Sequence, residues 1–115
     1  MDTTEIIDNN YTVTYDAGTV TCKGYFRLRG AEEYAPIMDL LIQVAKLKLP
    51  QVTLDVSDLE FLNSSGINTL SKFVLQLRRS GDVKLCIVAS DQYPWQKKSL
   101  RNFQKLLPGT DIQFS

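Results

Sequence analysis

At 115 residues, with 43% hydrophobic and 23% charged residues, the chain has the size and composition of one globular domain, not of a disordered segment. Thirteen basic residues balance thirteen acidic ones, which argues against a dedicated nucleic-acid binder. Histidine is absent, so Ser-His-Asp and Cys-His machinery cannot be built, no metal site is expected, and an enzyme is unlikely on composition alone.

The opening MDTTEIID is acidic and polar, unlike a signal peptide, and residues 1–9 read as a flexible or edge segment. Tyr11 to Leu28 alternates and is rich in Thr, Val, Tyr and Phe, with a turn signal at Asp16-Ala17-Gly18-Thr19, so a β-hairpin is expected. Gly24 inside the second strand predicts a bulge or a close backbone approach. From Ala31 the period changes: Tyr34, Ile37, Met38, Leu41, Val44 and Ala45 form the stripe of an amphipathic helix. Pro36 falls in its expected first turn and Pro50 closes the segment.

Gln51 to Val56 predicts a short strand, followed by an apolar loop over 57–62 and a second helix over 64–80. Ile67, Leu70, Phe73, Val74 and Leu77 form its inward face, and Gly81 its stop. Val83 to Ala89 is nearly all apolar, as a strand covered on both faces would be. Ser90 to Trp95 reads as a loop, Ser99 as the cap of a third helix carrying Leu100, Phe103, Leu106 and Leu107, and 111–114 as a last strand. The order β-β-α-β-α-β-α-β implies a mixed α/β sheet, with parallel strands joined by crossover helices and an antiparallel hairpin at one side. Cys22 and Cys86, each in a strand-like run, read as small buried hydrophobes in a reducing compartment. The longest apolar run is too short to span a bilayer, so the expected location is the cytoplasm.

The stretch Asn63-Ser64-Ser65-Gly66 carries the chemistry. Asn63 and Ser64 are both good N-cap residues, because a side-chain oxygen can accept from a free amide at a helix start. A second hydroxyl and a glycine in the first turn exceed what a cap needs, since Gly66 costs ~1 kcal/mol relative to alanine. Two readings stand: a plain cap, or a site where a phosphate on one hydroxyl adds about −1.5 to −2 charges and repels a close-fitting partner.

The segment LDVSDLEFLNSSGINTLSKFVLQLRRSGDVKLCIVAS resembles the heart of a STAS domain, the sulphate-transporter and anti-sigma-factor-antagonist family. Leu54-Asp55-Val56 matches the family's strand, Phe61-Leu62 its apolar loop, and Ser64-Ser65-Gly66 its Asp-Ser-Ser-Gly or Asp-Ser-Thr-Gly motif. The resemblance implies a non-enzymatic regulator without cofactor, whose partners are a serine kinase or anti-sigma factor and a phosphatase. It places the phosphoacceptor at Ser64, with Ser65 second, and a partner surface at Asn63, Ser64, Ser65, Gly66, Asn68 and Arg27. Two positions depart from the family: Asn63 replaces the motif's aspartate, and Arg27 stands where a second aspartate often ends the second strand. Both changes remove negative charge beside the hydroxyl. They allow a scaffold that is never phosphorylated, and equally an arginine that holds a phosphate. Nucleotide or lipid sensing, known in some relatives, is a third implication.

Two further features have ordinary explanations. Lys97, Lys98, Arg101 and Lys105 give the third helix a basic face, either solvated surface or a docking patch for an acidic partner. The lone Trp95 either packs against that helix or anchors a partner.

Overall fold

A computed structural model describes residues 4–114. Strand β1 (Thr4–Ile7) pairs antiparallel with β2 (Tyr11–Asp16), which forms a hairpin with β3 (Thr19–Phe26). The turn uses Ala17 and Gly18, both at positive φ (48° and 85°), the twist that a two-residue hairpin requires. The segment expected to be flexible or an edge is therefore, over residues 4–7, an edge strand; residues 1–3 lie outside the described residues. Gly24 meets both expectations: the β3 register shifts there, and an added Cβ would collide with the Asn10 carbonyl.

Helix α1 (Gly30–Lys46) leads to β4 (Gln51–Leu62), α2 (Ser64–Ser80) to β5 (Lys84–Ala89), and α3 (Pro94–Leu106) to β6 (Asp111–Phe114). The six strands lie in chain order, with β3 to β6 mutually parallel. Parallel connections are right-handed by rule, so crossovers that step steadily in one direction place their helices on one face. Burial agrees. Val13, Val20, Cys22, Leu54, Leu59 and Ile87 join the inward faces of all three helices in one cluster. The opposite face, with Thr12, Thr14, Thr21, Lys23, Thr53 and Asp55, stays half-buried or exposed.

Four details of the sequence reading are corrected. Residues 57–62 are not a loop: they continue β4, which carries two extra residues relative to β3. Its buried positions run Val52, Leu54, Val56, Leu59, Leu62, so each bulge turns a step of two into a step of three. Helix α3 starts at Pro94, whose missing N–H suits the first helical position, and Ser99 lies inside it, buried. Pro36 sits in the second turn of α1, because that helix already starts at Gly30; the residue is exposed, at the cost of one solvent-side hydrogen bond. Strand β5 has one covered face only. Its outward residues are Lys84, Cys86 and Val88, and Cys86 is hidden among its neighbours, not under a helix.

Candidate functional site

The bend from β3 into α1 runs beside the bend from β4 into α2, and side chains lock the two together. Asn63 is the centre of the lock. Its backbone N–H donates to the Phe26 carbonyl (3.1 Å), and its Nδ2 donates to the Leu28 carbonyl (2.7 Å). Its Oδ1 accepts from the Gly66 amide (2.9 Å), the N-cap bond, and from the Tyr34 hydroxyl (2.8 Å). Tyr34 stands on α1, buried against Phe26, and burial pushes its phenol up to about 12. It is a neutral donor across the usual pH range.

Ser65 Oγ accepts from the Gly30 amide (3.1 Å), so a side chain of α2 caps the first amide of α1. The Arg29 amide donates to Glu33 Oε1 (2.9 Å), so a first-turn carboxylate of α1 reaches back to its N-cap residue. Gly66 is buried. An added Cβ would lie 2.7 Å from the Tyr34 oxygen and against Leu62. The missing side chain at Gly66 makes room for the chain's own α1 and β4.

Ser64 differs from its neighbours: it is exposed, and Asn68, one turn further along α2, shares that exposure. No acidic residue stands in the first turn of α2. Arg27 is also exposed on the adjoining bend, but its guanidinium sits over Tyr25 (4.9 Å to the ring centroid) and Phe61 (5.2 Å). These rings are paired across β3 and β4 and are 37% and 41% exposed. The Tyr25 hydroxyl donates to Glu60 (3.3 Å). Of the residues expected at the site, Asn63, Ser64, Ser65, Gly66 and Asn68 share one helix start, while Arg27 flanks it.

Sequence reasoning missed the supports. Tyr34 read as one more core position, and nothing in its spacing tells that its hydroxyl reaches the next helix. Gln96 carried no signal in the sequence. It is fully buried, donates to the Val56 and Leu59 carbonyls (2.8 and 3.1 Å), and accepts from the Ser90 amide (2.8 Å). Trp95 is half-buried and donates to the same Leu59 carbonyl (2.9 Å), so packing against the sheet accounts for it.

Among the described residues no group of three potential ligands could hold a metal, and no helix is long and apolar enough to cross a membrane. Two shallow hollows of about 270 and 340 Å³ lie where β4 and β5 begin, lined by Lys48 to Pro50 and by Gly81 to Leu85 among others. That is the opposite end of the strands from Ser64.

The STAS domain family matches residues 26–108, which include both bends, the capped start of α2 and the three crossovers. The chain belongs to the STAS domain family. No curated protein matches this STAS domain in sequence. Its fold is that of SiaC of Pseudomonas aeruginosa, with a TM-score of 0.72 at 17% identity over the whole of both chains. It is also similar to SiaC solved with the diguanylate cyclase SiaD that it activates, from the same organism (TM-score 0.72, 16% identity, 97% of this chain and 99% of that one). An anti-sigma factor antagonist from Mycobacterium paratuberculosis gives a TM-score of 0.60 at 19% identity over 96% and 83%. The Bacillus cell-fate determinant SpoIIAA in its phosphorylated form gives 0.54 at 13% over 96% and 89%.

Proposed function

We propose that this STAS domain is a regulatory interaction module that binds a protein partner through Ser64, Ser65 and Asn68, with Arg27 at its flank and Asn63 and Gly66 as the frame. Phosphorylation of Ser64 by a serine kinase weakens that binding, and a phosphatase restores it. One observation carries the reading. At a helix start where Asn63 and Ser65 have committed their side chains to hydrogen bonds, the Ser64 hydroxyl is exposed. A hydroxyl so placed is open to a kinase, and a phosphate there adds charge without breaking the contacts that hold the helix. The comparisons lend the class of function: SiaC is an activator found in complex with an enzyme, and SpoIIAA has been seen phosphorylated. Two free, buried cysteines suit a reducing compartment such as the cytoplasm.

Incubation with native extract and ATP, followed by mass spectrometry, is expected to place phosphate on Ser64. Pull-downs from the same extract with wild type, Ser64→Ala and Ser64→Asp are expected to retain the partner in the first two and lose it in the third. If Ser64 stays unmodified and Ser64→Asp binds like wild type, the switch is refuted and the module is a constitutive scaffold.

A further inference from the structure

We propose that Arg27 is the receiver of a phosphate on Ser64: the guanidinium leaves Tyr25 and Phe61 for the phosphate, and the two rings are uncovered. The inference rests on the reading of Ser64 as phosphoacceptor and adds what the modification does to the surface.

Arg27 is poised for such a move. Tyr25 and Phe61 face each other across β3 and β4, outside the core-facing Phe26 and Leu62, and Arg27 follows two residues after Tyr25. The two ring contacts place the guanidinium over Tyr25 and Phe61, and among the described residues no ion pair consumes its N–H groups. The side-chain ion pairs among the described residues are Lys84 with Asp111 and Lys97 with Asp91, at other sites. The bond from the Asn63 amide to the Phe26 carbonyl sets Arg27 abreast of Asn63, with Ser64 the next residue along. Cation–π contacts at an exposed site are weak beside a charge-assisted, two-pronged bond to a dianion. A phosphate at position 64 therefore outbids the rings.

Other charges at this end sharpen the choice. Glu60, bonded to the Tyr25 hydroxyl, stands beside the rings and opposes a phosphate there. Arg29, exposed on the same bend with its backbone amide donating to Glu33, is the competing cation. After the move, the surface carries a phosphate–arginine pair beside two bare aromatic side chains. That is a different docking face from the arginine-covered pair of the unmodified chain, and aromatic anchors are what partners read most strongly.

The test installs phosphoserine at position 64 during synthesis and follows the intact chain by NMR. The Arg27 Nε–Hε signal is expected to shift and to exchange more slowly, and the ring-current shift that Tyr25 and Phe61 impose on Arg27 should disappear. Phosphorus titration should give a second phosphate pKa a few tenths of a unit higher in Arg27→Gln than in the phosphorylated chain with Arg27 intact. Arg29→Gln should change it less, and Arg27→Lys should fall between. An Arg27 that stays over the rings, with the titration unmoved by Arg27→Gln, overturns the inference, as does a rise in the phosphate pKa that follows Arg29→Gln instead. Because the phosphate is installed synthetically, a Ser64 that extracts never modify would defeat the switch and leave this geometry intact. An indifferent Arg27 would do the reverse.

Discussion

The side-chain oxygen of Asn63 accepts two hydrogen bonds and its nitrogen donates one, to Leu28. A carboxylate could keep the first two and would face the Leu28 carbonyl with no proton to give. The loss of that donor leaves a half-buried carbonyl unpaired, at about 1–3 kcal/mol, while a negative charge at a helix start returns roughly 0.3–1 kcal/mol. Asn63→Asp is therefore expected to lower stability by about 1 kcal/mol at neutral pH in urea denaturation, and the deficit should shrink in acid, where a protonated carboxyl donates again. A stabilised variant would show that the Leu28 bond contributes nothing. Gly66→Ala carries a second test. Helix propensity favours it by ~1 kcal/mol, but the new methyl meets Tyr34 and Leu62, and overpacking of a tight site costs about 1–3 kcal/mol. The clash should win, and denaturation should show net destabilisation. The cap at Asn63 was legible because capping chemistry is local. The need for an amide and for a missing side chain was not, since both arise from contacts with α1 and its approach, some thirty residues away in the chain.

Strand β4 shows where element-level reading succeeds and fails. Its first half alternates and was read as a strand; its second half was read as a loop because each bulge adds a residue and breaks the period of two. Pairing with β5 runs only from Gln51 to Asp55, so the backbone groups beyond it need other hydrogen-bond partners. Asp55 Oδ1 takes the Ser57 amide (3.0 Å) and hydroxyl (2.7 Å), while Gln96 and Trp95 of α3 supply N–H groups to Val56 and Leu59. Helix α3 is thus a clamp on the bulged strand that ends at the candidate site. Gln96→Leu keeps the volume and removes three hydrogen bonds from a fully buried position, so a loss of at least about 2 kcal/mol is expected in thermal or chemical unfolding. A change below 0.5 kcal/mol, the scale of an ordinary surface substitution, would mean that the carbonyls find other partners. The helices were legible because their stripes persist over several turns. The start of α3 was not, because Tyr93-Pro94 carries a turn signal that a helix N-terminus also uses.

For the whole molecule, the strand order decides the architecture. Crossovers that step one way leave one sheet face without helices, which is why an apolar run such as that of β5 misled: its hidden Cys86 owes its burial to neighbouring strands. The single core also sets an alkaline limit. Burial, helped by the Asp55 charge, pushes the Cys22 thiol from 9.0 to about 12, and burial pushes the Tyr34 phenol from 10.0 to about 12. Below about pH 8 the thiol and the phenol are neutral in folded and unfolded chains alike. Above it the unfolded chain ionises first, so stability should fall from about pH 9 to 12, by up to ~1.4 kcal/mol per pH unit for each group that has begun to ionise. Urea unfolding across that range checks this, and Tyr34→Phe should flatten the slope above pH 10. Where Tyr34 meets the start of α2, the hydrogen bonds of the Asn63 and Ser65 side chains run to α1, its approach and Gly66, and the Ser64 side chain is exposed outside them. A mark written there is a flag and not a lever: it changes what neighbours meet on the outside while the interior stays deaf to it.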